Sequence, residues 1–167
     1  MPEILYFTEL YGLKVFDRKG RRIGRVEDAA LVPLIDPARI DRFLVGGGWT
    51  WLTVRYDQVE EISLGGLRLR DELLTPFSED EYTLRIARDL LDQQIIDVNG
   101  RKVVRVNDVT FELRRESGFE YLRILEVNIG LRSMLRRLLQ GVLPRTWIRR
   151  LQQPLPHSTI GWEFCNI

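Results

Sequence analysis

An internal repeat constrains this chain more than any single motif does. Residues 10–33 and residues 90–113 align without a gap, at a constant separation of 80 residues. Identical residues fix the register of this alignment, namely Asp17/Asp97, Gly20/Gly100, Arg21/Arg101, Arg25/Arg105, Val26/Val106 and Asp28/Asp108. A segment that recurs at a fixed offset indicates two copies of one supersecondary unit. We therefore expect two small domains that pack against each other.

Each copy begins with the pattern of a β-hairpin. In the first copy, Asp17 and Gly20 favour a turn between two apolar segments. The predicted strands of the first copy are 13–16, 22–32, 40–45, 49–56 and 67–70, with a turn or strand at 58–62. Those of the second copy are 94–97, 102–113 and 119–127. The chain is therefore predicted to be mainly β with short helices.

An acidic segment separates the two copies. Residues 71–81 contain several acids and Pro76, which is typical of a linker. Ser78 and Glu81 have the spacing of a capping box, so a short helix is predicted over 79–91. The predicted organisation is a first domain at 1–75, a linker and short helix at 76–91, and a second domain at 92–167.

The two copies are predicted to close differently. Tyr56 and Trp162 stand at matching places in the two copies, yet they are 106 residues apart rather than 80. The extra length coincides with residues 131–152, where apolar residues follow helical spacing and Pro144 suits the first turn of a second short helix. We predict a helical insertion over 131–152 in the second copy, and a return of residues 159–167 to complete its sheet.

Composition gives broad limits only. The net charge of +1 offers no global attraction for nucleic acid or acidic substrates. The single cysteine, Cys165, excludes an intrachain disulfide and fits a reducing compartment. No apolar run reaches the roughly 18–20 residues that span a bilayer, and residues 1–12 carry acids where a signal peptide carries basic residues. We expect a soluble, cytoplasmic protein.

The repeated hairpin resembles a known family. The segments VFDRKGRRIGRVEDAAL at 15–31 and IIDVNGRKVVRVNDVTF at 95–111 share a strand, an Asp-x-x-Gly turn followed by a basic residue, and a strand with Arg-Val-x-Asp. This pattern resembles PRC-barrels, small β-barrels found in photosynthetic reaction-centre H subunits and in ribosome maturation factors. The resemblance implies two tandem PRC-barrel-like domains over residues 9–70 and 90–167.

A longer pattern in the second copy narrows the resemblance. Residues 90–109, the predicted insertion and the later Trp-Glu-Phe are similar to the N-terminal part of bacterial proteins that fuse tandem PRC-barrels to a domain like the cytoplasmic N-domain of MgtE magnesium transporters, sometimes with CBS domains. The first copy departs from the pattern, with Tyr56 where the family often has Trp and Glu27-Asp28-Ala29 in place of Asn-Asp-Val. The resemblance implies an association with magnesium-related systems, and transport itself is not carried over.

Four aspartates recur by copy, and they are the first candidates for a cation site. A calcium ion takes about six oxygen ligands, more than the local acids supply. Asp17 and Asp97 open glycine turns, where an aspartate binds its own backbone, and Asp28 and Asp108 are expected to pair with an arginine or to end a strand. We predict structural roles for all four, with no metal and no cofactor site.

Two mid-strand arginines also recur. Arg25 and Arg105 could bind an anion. The alternative is an internal salt bridge, or a guanidinium that reaches over the rim of the sheet to water. We prefer the interpretation in which each arginine forms an internal salt bridge or reaches over the rim to water.

The candidate partner surface combines an arginine-rich segment with two tryptophans. Residues 127–162 carry no acid, and a basic helix there could contact an acidic protein, an anionic membrane or RNA, or could simply have a solvated basic face. Trp49 and Trp51 follow three glycines at 46–48 and alternate onto one predicted strand face, where they could anchor a partner. The preferred alternative is that they cover a barrel end or the interface between the copies. The candidate residues are Arg132, Arg136, Arg137, Arg145, Arg149, Arg150, Trp49 and Trp51.

No catalytic arrangement is recognised in the sequence. His157 is the only histidine and directly follows a segment with Pro154 and Pro156, while Cys165 alternates with Ile167 as a small apolar residue would. Dinucleotide, phosphate-loop and zinc-protease motifs are absent. We therefore predict a protein that is not an enzyme.

The leading functional prediction is a protein-interaction or regulatory module, which could be the cytoplasmic N-terminal part of a magnesium-transport-related protein. Its partner would be another protein or a covalently linked downstream domain, and an exposed sheet edge or the Trp49/Trp51 face could support a homodimer. The alternative is a ribosome-maturation or RNA-associated adaptor, and a third, weaker possibility is an enzyme that acts through acidic pairs. RNA ranks below protein as a partner, because Trp147 is the only aromatic residue among the arginines. A membrane surface also ranks below protein.

Overall fold

The computed structural model describes residues 3–97, 102–130 and 158–166, and these ranges confirm a mainly β fold. The strands are β1 (Glu3–Tyr6), β2 (Lys14–Phe16), β3 (Arg22–Leu31), β4 (Arg42–Gly46), β5 (Leu52–Arg55), β6 (Val59–Ser63), β7 (Gly66–Leu69), β8 (Thr75–Pro76), β9 (Leu84–Arg85), β10 (Gln94–Asp97), β11 (Lys102–Arg105), β12 (Asp108–Glu116), β13 (Phe119–Asn128), β14 (Thr159–Gly161) and β15 (Cys165–Asn166). The helical elements are α1 (Phe7–Leu10), a π-helical turn (Ile86–Leu90) and two 3-10 turns (Tyr56–Gln58 and Trp162–Phe164).

The strands form three sheets. The largest has the order β6-β7-β2-β3-β4-β5-β8, with β9 added to the free edge of the second half of β3. The second has the order β1-β12-β13-β14, and the third has the order β11-β10-β15. No closed barrel is formed within the described ranges, since the large sheet runs from β6 at one edge to β8 at the other.

The repeat is preserved down to single hydrogen bonds. The N–H of Gly12 donates to the carbonyl of Val26 at 2.7 Å, and the N–H of Asp92 donates to the carbonyl of Val106 at 2.9 Å. Gly12 and Asp92 both have positive φ, at 75° and 64°. Aspartate tolerates this left-handed conformation better than most residues do. The constant offset of 80 residues in the sequence therefore corresponds to one backbone path traced twice.

The strand that precedes each copy pairs with the other copy. β1 lies before the first hairpin but pairs antiparallel with β12, with Leu5 opposite Phe111. β9 lies before the second hairpin and pairs antiparallel with β3, with Leu84 opposite Leu31. We call β1 with α1, and β9 with the π-helical turn, the two arms. The predicted domain boundaries stay a prediction, and strand pairing crosses them in both directions.

One cluster of buried apolar side chains contains residues from both copies. Leu10 and its counterpart Leu90 are both fully buried in it, as are Val26 and Val106. Each arm contributes a large side chain as well, with Phe7 buried on α1 and Ile86 on the π-helical turn. Because the arms are exchanged, burying them joins the two copies through a shared hydrophobic core.

The predicted helix over 79–91 is shorter than expected and begins at Ile86. The first turns predicted for this helix are wrong. Asp80 accepts hydrogen bonds from the Tyr82 N–H and the Thr83 hydroxyl in a local turn. The chain then continues as the extended strand β9, which pairs with β3. The observed turn is of the π type, with the Leu91 N–H donating to the carbonyl of Ile86 five residues earlier.

A one-residue insertion explains this π-helical turn. In α1, the equivalent bond runs from the Tyr11 N–H to the carbonyl of Phe7, only four residues earlier. Phe7 and Ile86 are 79 residues apart, whereas Tyr11 and Leu91 are 80 apart. The second arm therefore holds one extra residue inside an otherwise equivalent turn, which is a common origin of π-helical geometry.

The predicted strand over 102–113 is two strands instead of one. The break falls at Val106 and Asn107, whose N–H groups donate to the carbonyls of Gln93 and Asn128. The predicted strand over 49–56 is also shorter, because the pairing of β5 begins only at Leu52. At Val106 and Asn107 the backbone therefore donates outside the continuous ladder that period-two alternation assumes.

The predicted return of the C-terminal residues is confirmed for the described segment 158–166. β14 pairs with β13, with Ile160 opposite Val127, as β5 pairs with β4 in the first copy, with Val54 opposite Phe43. β15 then pairs with β10. The predicted helical insertion at 131–152 lies outside the described residues.

Candidate functional site

Asp17 lies in the predicted turn, and its carboxylate is hydrogen-bonded by residues of its own hairpin. Its carboxylate accepts hydrogen bonds from the Lys19 N–H at 2.9 Å, the Arg21 N–H at 2.8 Å and the Arg21 Nε at 2.7 Å. Gly20 supplies the positive φ of 77° that this turn requires. The structural role predicted for Asp17 is confirmed, and the side chain of its counterpart Asp97 lies outside the described residues.

Asp28 holds the second arm to the first copy. This fully buried carboxylate accepts hydrogen bonds from the Ala29 N–H and the Ala87 N–H, both at 2.8 Å, and from the Arg85 Nε at 3.1 Å. Burial raises the pKa of Asp28, although the two amides and the Arg85 guanidinium act against that shift. The predicted pairing of Asp28 with an arginine is confirmed, and its partner comes from the other arm.

Asp108 holds the first arm to the second copy in the same way. It is also fully buried, and it accepts hydrogen bonds from the Thr8 N–H at 3.1 Å, the Thr8 hydroxyl at 2.7 Å and the Val109 N–H at 2.9 Å. Thr8 belongs to α1 of the first arm, so Asp28 and Asp108 each fix the arm that precedes the opposite copy. Within residues 3–97, 102–130 and 158–166, no group of three or more His, Cys, Asp or Glu side chains is placed to hold a metal ion.

The two mid-strand arginines do not form the expected internal salt bridge. Arg25 and Arg105 are both exposed. None of the ion pairs within the described part of the chain involves either guanidinium. Among the described residues, the preferred interpretation is therefore met in its second form, in which both guanidinium groups reach towards water.

Trp49 is the most exposed large side chain among the described residues. Its relative exposure is 108%, compared with 83% for Leu34, the next largest value. The backbone before it is pressed against β3. A Cβ on Gly46 would touch the side chain of Glu27, and a Cβ on Gly47 would lie 2.9 Å from the Ile23 carbonyl. Glycine at these two positions therefore lets the turn lie close against β3, and Trp49 extends from this turn into solvent.

Trp51 has a different environment from Trp49. Its ring packs on Phe77, with centroids 6.2 Å apart, and the Arg85 guanidinium lies 5.0 Å from the centre of the ring. Arg85 in turn binds Asp28. The sequence left two roles open for the pair, an exposed anchor or a cover for a barrel end or for the interface between the copies, and the covering role was preferred. The structure places Trp51 in a covered contact between β5, β8 and the second arm.

The remaining candidates give little to the site. Arg132, Arg136, Arg137, Arg145, Arg149 and Arg150 lie outside the described residues, as does His157. Cys165 is half-buried against the hydrophobic core, and its thiol lies 3.6 Å from the Gly161 carbonyl. No helix in the described ranges is long and apolar enough to cross a membrane.

The contact between the copies also contains residues that the sequence did not reveal. Tyr56 forms an aromatic cluster with Phe119 and Tyr121, with ring centroids 5.7 and 6.2 Å from its own, and the Arg39 guanidinium stacks on Tyr56 at 4.3 Å. At the matching position, the Trp162 Nε1 donates to the Pro37 carbonyl at 2.8 Å. The 106-residue offset between Tyr56 and Trp162 is the signal that could have identified both.

A second basic segment was also missed. Residues 14–25 of the β2–β3 hairpin include Lys14, Arg18, Lys19, Arg21, Arg22 and Arg25, all exposed, and Asp17 is the only acid in that range. The signal considered in the sequence was a basic face on a helix. The basic residues of this hairpin lie on strands and a turn, and they do not follow helical spacing. Simple counting of charges over 14–25 would have found it. Neither a protein-family model nor a curated protein matches this chain, and the resemblance to PRC-barrels therefore remains an expectation drawn from the sequence.

Proposed function

We propose that this chain is a non-enzymatic docking module that binds a protein partner through Trp49. The observation that carries the proposal is the complete exposure of this indole on a backbone turn pressed against β3. Tryptophan buries more area than other side chains and is enriched among residues that dominate binding energy. A rigid support lowers the entropy that binding costs, since the turn does not need to be ordered.

The proposal extends to fold family and cellular setting. We propose that each copy is a PRC-barrel-like unit, which the Asp17 turn of the first copy and the matching closing strands β5 and β14 support. The proposed setting is the cytoplasmic N-terminal part of a magnesium-transport-related protein, supported by the resemblance of residues 90–109. The partner would then be a linked downstream domain, a separate protein or a second copy of the chain.

A photo-crosslinking experiment tests the docking role directly. A photoreactive phenylalanine analogue replaces Trp49 in the full chain, and the same analogue replaces Tyr82, which is 66% exposed, as the control. Any partner captured at position 49 is identified, purified and titrated against the wild-type chain. Trp49→Ala should weaken this binding by about tenfold or more, while Tyr82→Ala should leave it unchanged. Equal capture at both positions, or unchanged affinity of Trp49→Ala, would exclude the proposal.

A further inference from the structure

We propose that Trp49 and a cationic face of the β2–β3 hairpin together bind an acidic protein segment that carries an apolar residue for the indole. We call Lys14, Arg22, Arg25 and Trp49 the cationic Trp49 face. This inference rests on the proposed docking function and adds to it the chemistry of the partner.

Strand register brings the three cations to one side of the sheet. Lys14 pairs with Arg25 across β2 and β3, and Phe16 pairs with Arg22. Residues paired across strands point to the same face, as do residues two apart on one strand. Lys14 and Arg25 therefore share a face, and a register shift between Val15 and Phe16 brings Arg22 to it by placing Arg22 opposite Phe16, two residues from Lys14. All three are exposed.

The turn that holds Trp49 begins on this same face. Gly46 pairs with Arg25, and a Cβ on Gly47 would meet the backbone of Ile23 and Gly24. Trp49 is two residues beyond Gly47, a reach of at most about 7 Å along the chain. The backbone of Trp49 therefore lies within this distance of Gly47, which contacts the stretch of β3 between Arg22 and Arg25.

The charge on this face is largely uncompensated. Asp17 is buried and bound by Arg21, and Arg21 also lies 3.9 Å from Glu72, on the side of the hairpin where Arg18 and Lys19 border Asp71. Among the described residues, none of the ion pairs includes Lys14, Arg22 or Arg25. Glu27, which packs over Gly46, is the acid placed next to them.

The single indole favours a protein segment over single-stranded nucleic acid. Platforms for single strands stack successive bases on several aromatic side chains. Within the described residues, Trp51 is covered by Phe77 and Arg85, so that Trp49 is the one tryptophan available for stacking on this face. One aromatic anchor surrounded by cations instead matches a segment with one apolar residue among acids, where charge steers the encounter and the anchor slows dissociation.

The experiment uses fluorescence anisotropy at low salt, where exposed charges are least screened. The probes are a short labelled peptide of glutamates around two central leucines, the same peptide with glutamines, and an oligouridylate of equal charge. The full chain is compared with Arg22→Glu/Arg25→Glu, with Trp49→Ala, and with the control Arg55→Glu/Arg114→Glu, which reverses two exposed arginines elsewhere. Circular dichroism confirms that each variant is folded.

The proposal expects the acidic peptide to bind and the glutamine peptide not to bind. The Arg22/Arg25 reversal and Trp49→Ala should each lower affinity about tenfold, and the control reversal less than about twofold. Equal losses in both double reversals, or tighter binding of oligouridylate than of the acidic peptide, would overturn the proposal. If a crosslinked partner depends on Trp49 but not on Arg22 and Arg25, the docking function stands and the acidic-segment inference fails.

Discussion

The carboxylate of Asp28 accepts a hydrogen bond from the N–H of Ala87 at 2.8 Å, across 59 residues of chain. Asp108 makes the equivalent contact with the N–H of Thr8 at 3.1 Å, across 100 residues. Both acceptors are fully buried, and both donors lie in the helical turn of an arm. The same contact is therefore made twice with the copies exchanged, and it couples the folding of the two halves of the chain.

Removing either carboxylate should destabilise the protein strongly. Asp28→Ala and Asp108→Ala each leave buried N–H groups without an acceptor, and Asp28→Ala also leaves the Arg85 guanidinium without its buried partner. We expect a loss of about 2–4 kcal/mol in the free energy of unfolding for each variant, measured by urea denaturation. The control Asp57→Ala removes an exposed carboxylate and should cost less than about 0.5 kcal/mol.

Hydrogen exchange distinguishes this contact from a general loss of stability. In Asp28→Ala, the amide of Ala87 should exchange faster than global unfolding explains, while the amide of Thr8 should follow global stability. Asp108→Ala should show the reverse pattern. Uniform acceleration of both amides in both variants would mean that the two carboxylates do not hold their arms individually.

The half-buried Asp36 and the fully buried Asp28 should respond to acid with opposite signs. Burial acts against ionisation of Asp36, but the Ala38 N–H, the Arg123 guanidinium and the Arg39 N–H outweigh it and hold the pKa of Asp36 below 3.8. Its stabilising contribution is present above the unfolded pKa and is lost as pH falls through the folded pKa. Burial raises the pKa of Asp28 above 3.8. The buried charge of Asp28 therefore opposes folding at neutral pH, and protonation relieves this cost as pH falls through its folded pKa.

Denaturation of the wild type, Asp36→Asn and Asp28→Asn between about pH 3 and pH 7 measures both signs. The stability difference between wild type and Asp36→Asn should shrink as pH falls. Over the same fall in pH, the free energy of unfolding of the wild type should rise relative to that of Asp28→Asn. A difference that is constant with pH for either pair would contradict the assigned direction of that pKa.

Local chemistry made much of the fold predictable. The Asp17 turn follows from residues that lie within five positions of one another, and the sequence alone identified it. The closing strand β14 followed from offset counting, because Tyr56 and Trp162 mark matching places. Both inferences needed only short-range turn preferences or a comparison of the chain with itself.

The exchange of the arms could not be predicted in the same way. An alternating strand such as β1 satisfies the edge of β3 as well as that of β12, and periodicity does not distinguish the two. The choice depends on contacts such as Asp108 with Thr8, which are formed only in the folded chain. The different environments of Trp49 and Trp51 could not be predicted for a related reason, because the residue that covers Trp51, Phe77, comes from a segment that was predicted to be linker.

The close approach of the Trp49 turn to β3 should not tolerate a side chain at Gly24. A Cβ there would collide with the Gly46 carbonyl and with the Val45 side chain. Gly24→Ala should therefore lower the free energy of unfolding by about 1–3 kcal/mol. Gly48→Ala is the matched control, since a Cβ at Gly48 meets nothing within 4 Å. It should be neutral or slightly stabilising, and equal losses for both would show that the approach is looser than described.

Deleting residues 159–167 should unfold the second copy. The deletion removes β14 and β15, the partners of β13 and β10, together with the buried side chain of Ile160. It also removes the Trp162 hydrogen bond to Pro37, which ties the second copy to the first. Thermal melting followed by circular dichroism should lose its cooperative transition, because the arms spread the loss through a shared core. A truncated chain that still melts cooperatively near the wild-type temperature would show that these strands do not complete the second copy.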